Sequence, residues 1–284
     1  MISGHVIKIQ SGRFYVETEK GVIDCFARGK LKTRDGAIIT GDFVDVDDCV
    51  IVDVYPRKNE LIRPRVANVD LLAIVISAVP KPDFHTVDKL IAYARQIGIE
   101  TVIIVNKSDI KSDLYGIVAE NYSAAVSVIR EISALNGSGI DDLRRLLCGK
   151  VTVFAGQSAV GKTSVSNVLL GENRIVGELS EKTLRGKQTT TVSEIIENDG
   201  LKIVDTPGFS AFDARIRSEK LAYGYAEFAA FSHTCRFADC NHINEPDCGI
   251  KNAVLCGEIN KERYRRYREI YKELSENEKN GKRY

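Results

Sequence analysis

The 284-residue sequence has no apolar run near the ~18 residues that a membrane-spanning helix needs, so no transmembrane helix is expected. Its first residues, Met1-Ile-Ser-Gly-His-Val, lack a basic stretch followed by an apolar one, so no secretory signal peptide is expected and cytoplasmic placement is the default. There is no excess of charge of either sign. A net charge of +1 gives no footprint of a nucleic-acid or membrane partner. The seven cysteines are an odd count, which excludes complete internal disulfide pairing. Three of them cluster with a histidine, which suggests a reducing compartment and a metal rather than a disulfide framework. Neither an internal repeat nor a low-complexity linker is visible.

What is present is ordinary globular composition, 44% hydrophobic and 28% charged, in a length that suits about two domains. Up to about residue 60, short β-like runs alternate with turns: His5-Val-Ile-Lys-Ile, Arg13-Phe-Tyr-Val-Glu-Thr, Gly21 to Arg28, Asp42 to Val46 and Cys49 to Tyr55. Such spacing predicts a small antiparallel barrel, and pattern alone leaves an SH3-like barrel open.

From about residue 68 the texture changes. Val69 to Ile76 and Thr101 to Val105 are nearly continuous apolar runs, as expected of parallel strands buried on both faces. Thr86 to Ile97 has helical spacing between them. Val126 to Ile129, Val151 to Ala155 and Leu201 to Asp205 are further strand candidates, and strands alternating with helices predict an α/β parallel sheet. After about residue 214 the chain reads as helical, broken by the Cys/His cluster and closed by a charged helix.

Gly156-Gln157-Ser158-Ala159-Val160-Gly161-Lys162-Thr163 matches GxxxxGK[ST], between the strand ending at Ala155 and a helical segment from Ser164 to Leu170. A tightly wound loop at a helix N-terminus aims backbone N–H groups at phosphate oxygens. Lys162 would reach the β and γ phosphates, and Thr163 would ligate magnesium. The phosphate loop does not choose a base. Asn106-Lys107-Ser108-Asp109, at a strand end, resembles the guanine-recognition motif NKxD. A carboxylate at Asp109 accepts from guanine N1–H and its 2-amino group, a donor pair that adenine lacks. The Lys107 stem can pack along the base. Ile132-Ser133-Ala134 resembles the second base-contacting loop. Asp205-Thr-Pro-Gly208 resembles the γ-phosphate sensor, with Asp205 holding magnesium through water and the Gly208 N–H meeting the γ-phosphate. All four fall at the C-terminal ends of strands, where open α/β sheets bind ligands. Between phosphate loop and sensor lies Gly186-Lys-Gln188-Thr-Thr190-Thr191. Thr190 is the candidate switch hydroxyl for magnesium, with Thr189 and Thr191 as alternatives and a Thr-rich strand start as the bland reading.

The base motifs precede the phosphate loop, the reverse of an ordinary GTPase. Joining old termini and opening new ones elsewhere produces that order. The segment after the γ-phosphate sensor would then be tethered to the element that responds to hydrolysis, so nucleotide state is expected to reposition the C-terminal domain.

This order, with a barrel before it and a Cys/His cluster after it, resembles the bacterial ribosome small-subunit-dependent GTPase A (RsgA) family over essentially the whole chain. Arg57 to Pro64 and Asn68-Val-Asp resemble that family's lead-in to its G domain, and Cys235 to Cys248 its most specific stretch. The resemblance implies an OB-fold barrel (1–62), a circularly permuted P-loop GTPase domain (63–213) and a mostly helical zinc-binding domain (214–284). It implies GTP hydrolysis, stimulated by the small ribosomal subunit, late in that subunit's maturation, with 16S rRNA as partner. A monomer without a membrane partner is expected. Two residues depart from the pattern: Ala159 stands where the family usually has Gly, and Gln188 where it usually has His. Gln188 is a candidate for orienting the attacking water, with a mobile-loop surface residue as its bland reading. Phe209 follows the sensor where many GTPases carry a catalytic Gln and cannot orient water. Slow, partner-dependent hydrolysis is therefore expected, and a nucleotide-binding RNA module with negligible turnover is the alternative.

Cys235, Cys240, His242 and Cys248 supply four N/S ligands, which suits a closed, structural tetrahedral zinc. His233, two residues before Cys235, is the competing ligand. Cys25, Cys49, Cys148 and Cys256 read as ordinary core or surface residues. In the last helix, Lys261, Arg263, Arg265, Arg266, Arg268 and Lys272 lie among Tyr264, Tyr267 and Tyr271. Phosphate contacts with base stacking and a solvated helix with tyrosines packed inward explain this pattern equally well. Arg28, Lys30, Lys32 and Arg34 form a basic turn that suits RNA backbone contacts, or a solvated loop.

Overall fold

The computed structural model describes residues 1–27, 36–171, 193–205 and 216–281. They form two compact units. The first holds Met1–Leu72, Ile140–Phe154 and 162 onward to the end of that stretch, and the second Ala73–Gly139, Ala155–Gly161 and the C-terminal region.

The first unit contains the barrel. Its strands are β1 (Ile2–Gln10), β2 (Arg13–Thr18), β3 (Gly21–Ala27), β4 (Phe43–Asp47) and β5 (Val50–Val54), close to the runs expected from alternation. They pair in the order β1-β2-β3-β5-β4, and β4 returns to pair with β1, which closes the barrel. β3 and β5 run parallel. A register shift between Val6 and Lys8 lets β1 serve both neighbours. An up-and-down SH3-type meander has no parallel pair, so this pairing decides for the OB-fold left open by the pattern. Val6, Val16, Cys25, Val44, Val46 and Ile51 fill the barrel core, which makes Cys25 a small core residue.

The barrel sheet continues into one strand missed in the sequence, β12 (Glu194–Asn198), and two that were expected there with these bounds, β13 (Leu201–Asp205) and β11 (Val151–Ala155). β12 pairs with β1 at Lys8 and antiparallel with β13, which lies parallel to β11. Lys202 bridges Glu17 of the barrel (2.6 Å) and Glu197 (2.9 Å). The lead-in stretch holds a short antiparallel pair, β6 (Glu60–Leu61) and β7 (Val66–Ala67), and is bound by its amides. Asn68 donates to the Gly41 carbonyl and accepts from Lys58 N, and Asn59 brackets Val69 with two bonds. Helices α3 (Ile140–Leu147) and α4 (Lys162–Leu170) complete the described part of this unit.

In the second unit lie most of β8 (Leu71–Ser77), then α1 (Phe84–Gln96), β9 (Glu100–Asn106), α2 (Leu114–Tyr122) and β10 (Val128–Glu131). β8 is buried at every residue and β9 at all but the first, as their apolar runs require. β10, parallel to β9, is the edge and is half-exposed, which explains its weaker signal. The C-terminal region has three short 3-10 turns between Ser218 and Thr234, a helix Gly249–Leu255 and a long helix Lys261–Lys279. Among the described residues no helix is long and apolar enough to cross a membrane.

α1 and the long helix are joined through buried charge. Asp88 accepts from Arg263 Nη1 (2.6 Å) and Arg266 Nε (2.5 Å), and Arg263 also pairs with Glu227. Burial of the two arginines corrects part of the RNA-facing expectation for this helix. Their charge is spent inside the protein, while Lys261, Arg265, Arg268 and Lys272 stay exposed. The tyrosines point the same way. Tyr264 and Tyr267 are buried, and their hydroxyls donate to the carbonyls of His242 (2.7 Å) and Asn241 (2.6 Å). They hold the Cys/His loop and do not form a stacking platform.

Candidate nucleotide and metal sites

Within the second unit three loops meet through one amide. Asn106, buried at the end of β9, donates from Nδ2 to the Val160 carbonyl (2.9 Å) and accepts at Oδ1 from Ala134 N (3.1 Å). NKSD, Ser133-Ala134 and the phosphate loop are thereby laced together by the side chain itself. A Cβ at Gly161 would collide with that amide, and one at Gly156 with the Val75 carbonyl, so both positions demand glycine. Val160 is fully buried and anchors the loop.

Lys107, at φ 64°, sends its ammonium to the carbonyls of Ala159 and Val79, 2.7 Å each. Ser133 Oγ donates to Asp109 Oδ1 at 2.5 Å, which orients the carboxylate expected to read guanine. Ser108 N donates to the Ile132 carbonyl (3.1 Å). Ala159 has φ 64°, in the left-handed region that favours glycine. Alanine in place of the family's usual glycine therefore carries a backbone cost here.

Gln157 has a partner set that its motif position does not announce. Its Oε1 accepts from Asp83 N (2.8 Å) and its Nε2 donates to the Lys81 carbonyl (3.1 Å), both ahead of α1. Ser158 is exposed.

Lys162, Thr163 and Ser164 open α4 in the first unit, and Asp205 ends β13 there. Burial pushes the Lys162 ammonium pKa below its usual value, a shift that a bound anion would offset. Gln188, Thr189, Thr190, Thr191, Gly208 and Phe209 lie outside the described residues, as do Arg28, Lys30, Lys32 and Arg34.

The second constellation is Cys235, Cys240, His242 and Cys248, whose ligand atoms all lie within 4.8 Å of one another. Cys235 Sγ and Cys248 Sγ are each 3.5 Å from His242 Nδ1 and 3.9 Å from each other. A tetrahedron built on ordinary zinc bond lengths has S···S edges of about 3.8 Å and S···N edges of about 3.5 Å, so these residues fit that ion. Burial pushes the Cys240 thiol up to about 12 and lowers the His242 pKa, so a cation is needed to make the thiolates. Glu245 supports the loop by accepting from the backbone N–H groups of Asn241, Ile243 and Asn244. His233 is exposed and outside the set. Tyr264, Tyr267 and Glu245 were missed as site-supporting residues, since only the fold reveals which backbone they hold.

The comparisons agree with this architecture. A model of the RsgA GTPase matches residues 54–215 and a model of the RsgA N-terminal domain matches residues 3–49. A small ribosomal subunit biogenesis GTPase RsgA from Caldanaerobacter subterraneus subsp. tengcongensis is 38% identical, covering 98% of this chain and 97% of its own. The crystal structure of YjeQ from Thermotoga maritima superposes with a TM-score of 0.83 at 36% identity, covering 96% of this chain and 98% of that one. The structure of YloQ, described as a circularly permuted GTPase, gives 0.80 at 30% identity, covering 97% and 96%. With four nucleotide motifs in permuted order, an OB-fold before them and a Cys3His cluster after them, this chain belongs to the RsgA GTPase family of GTP-hydrolysing enzymes.

Proposed function

We propose that this GTPase acts in late maturation of the small ribosomal subunit, and that binding to the subunit stimulates its hydrolysis of GTP to GDP and phosphate. The observation that carries the nucleotide reading is the Asn106 side chain, which holds the base loops and the phosphate loop together. Asp109, with Lys107, Ser108, Ser133 and Ala134, reads the guanine. The backbone amides from Gly156 to Gly161 and Ser164 cradle the phosphates, and Lys162 stabilises charge developing on the γ-phosphoryl group. Thr163 and Asp205, with Thr190 in the GTP state, hold magnesium, which neutralises phosphate charge when bound. Gly208 meets the γ-phosphate and Gln188 orients the attacking water. The Cys235, Cys240, His242 and Cys248 set holds one structural zinc.

Domain bounds of 1–62, 63–213 and 214–284 belong to the same proposal. So do a monomeric state and contact with 16S rRNA, for which Lys261, Arg265, Arg268, Lys272 and Lys279 are the exposed basic residues of the last helix. The test is GTP turnover by purified protein with and without small ribosomal subunits. Stimulation of at least about tenfold is expected, against the ~10³–10⁵ available when a partner completes a GTPase site. Equal turnover with and without subunits overturns the proposal. Binding without turnover in either case favours the nucleotide-binding RNA module.

A further inference from the structure

The Gln157 side chain reaches out of the phosphate loop to grip another element. Its amide uses both ends, accepting from Asp83 N at 2.8 Å and donating to the Lys81 carbonyl at 3.1 Å. A methionine of the same length offers neither bond, and a glutamate offers only the acceptor. The gripped segment is short and already clamped at its other end, where Lys107 joins Val79 to Ala159 of the same loop. Residues 79–83 therefore form a strut lying on the phosphate loop.

The strut ends in a helix cap. Asp83 accepts from His85 N (3.1 Å) and Thr86 N (3.2 Å) and so starts α1. Along its length α1 is fixed to the C-terminal region. Asp88 takes two arginines of the long helix in a fully buried site, and Lys89 pairs with Glu273 (2.6 Å). Arg95 and Gln96 donate to the carbonyls of Tyr223 (3.1 Å) and Lys220 (2.9 Å). Gly224 lies so close to Ala92 that a Cβ there would collide with it. Packed contacts of this density transmit a shift rather than absorb it.

We propose that Gln157 is a positioning residue that couples phosphate-loop occupancy to the C-terminal helix through residues 81–83 and α1. This route is separate from the covalent tether that follows the γ-phosphate sensor. Phosphates entering the loop fix the Gln157 backbone, the amide fixes the strut, and α1 carries the constraint to Arg263 and Arg266. By linkage, a partner that grips the C-terminal helix must change nucleotide affinity by the same factor. The proposal rests on the nucleotide reading of the loop.

Hydrogen exchange of the full chain, at saturating GDP and at saturating non-hydrolysable GTP analogue, tests it. In the unmodified chain, nucleotide should slow exchange in residues 84–87 and 261–279 by roughly threefold to tenfold, the effect of one or two hydrogen bonds' worth of restraint. In Gln157→Met at saturation, slowing should be confined to residues 106–109 and 156–161. Gln157→Glu should retain part of the transmitted change. Pro82→Gly, which slackens the strut outside the nucleotide loops, should bind nucleotide and transmit less than half of it. Full transmission in Gln157→Met, or in Pro82→Gly should the methionine variant bind no nucleotide, overturns the coupling. So does nucleotide binding by the unmodified chain without any change in residues 261–279. Failure of the unmodified chain to bind guanine nucleotide overturns instead the reading on which the coupling rests, and the coupling with it.

Discussion

Asp88 and Arg263 pair at 2.6 Å with side chains 0% and 1% exposed, so the C-terminal helix meets α1 through charge that water does not reach. Arg266 shares the same carboxylate. Removing the acid takes the shared carboxylate from two buried guanidinium groups, leaving Arg263 only Glu227 and Arg266 only neutral partners among the described residues. Asp88→Ala should therefore cost about 3–5 kcal/mol of stability, read as a lower urea midpoint. Lys272→Ala, which breaks only an exposed pair with Glu276, should change stability by no more than about 0.5 kcal/mol. Equal effects of the two would show that the buried pair contributes nothing special.

Ala159 sits at φ 64° in a loop where its family resemblance calls for glycine. Ala159→Gly relieves the clash of Cβ with the backbone but raises the entropy of the unfolded chain. The net expectation is a stabilisation of about 0.5–1 kcal/mol, measured by thermal unfolding without nucleotide. A loss of stability would mean that the loop prefers the alanine.

His5 is buried against Phe43, with ring centroids 4.6 Å apart, and among the described residues its Nε2 has no hydrogen-bond partner. Burial, aided by the charge of Lys202, lowers its pKa to about 4 from 6.5. The unfolded chain then binds a proton near pH 6.5 that the folded chain refuses until near pH 4. Stability contributed by neutral His5 is complete above the unfolded value and is lost as pH falls through that window, by about 3 kcal/mol in all. His5→Leu should flatten the profile of unfolding free energy between pH 6.5 and 4, and an unchanged slope would assign the acid sensitivity to other groups.

Asp109 is held by the Ser133 hydroxyl at the mouth of the base loops. Asp109→Asn replaces an acceptor with a donor facing the guanine N1–H. GTP affinity should fall by about 1.5–3 kcal/mol, or about 10- to 150-fold, while xanthosine triphosphate gains. Calorimetric titration with both nucleotides reads this, and an unaltered GTP preference would refute the base assignment.

The Cys3His set predicts one zinc per chain by elemental analysis. Cys248→Ser should lose it and, because Tyr264 and Tyr267 bond the backbone of the same loop, loosen the C-terminal helix as well. His233→Ala should keep the full complement of zinc. Loss of metal from that variant alone would replace His242 by His233 in the set.

The sequence by itself determined the chemistry that is local. A phosphate loop needs Gly156 and Gly161 at fixed spacing, and three thiolates with an imidazole need only be near one another along the chain. The strands Val151–Ala155 and Leu201–Asp205 were also legible, since a buried strand writes its burial into consecutive residues. Long-range pairing was not legible. Whether five short strands close as an OB-fold or as another barrel depends on β3 lying parallel to β5, a contact that alternation in either strand does not encode. The last helix makes the same point. Its 3.6-residue period put the tyrosines on one face, but the period is the same whether that face meets RNA or protein. Only the tertiary structure, by bringing Asp88 to Arg263 and Arg266 and the Cys/His loop to Tyr264 and Tyr267, decided that the face is internal. The physical reason is desolvation. Buried charges and hydroxyls need their partners in place, and those partners are supplied by residues more than a hundred positions away in one case and about twenty in the other.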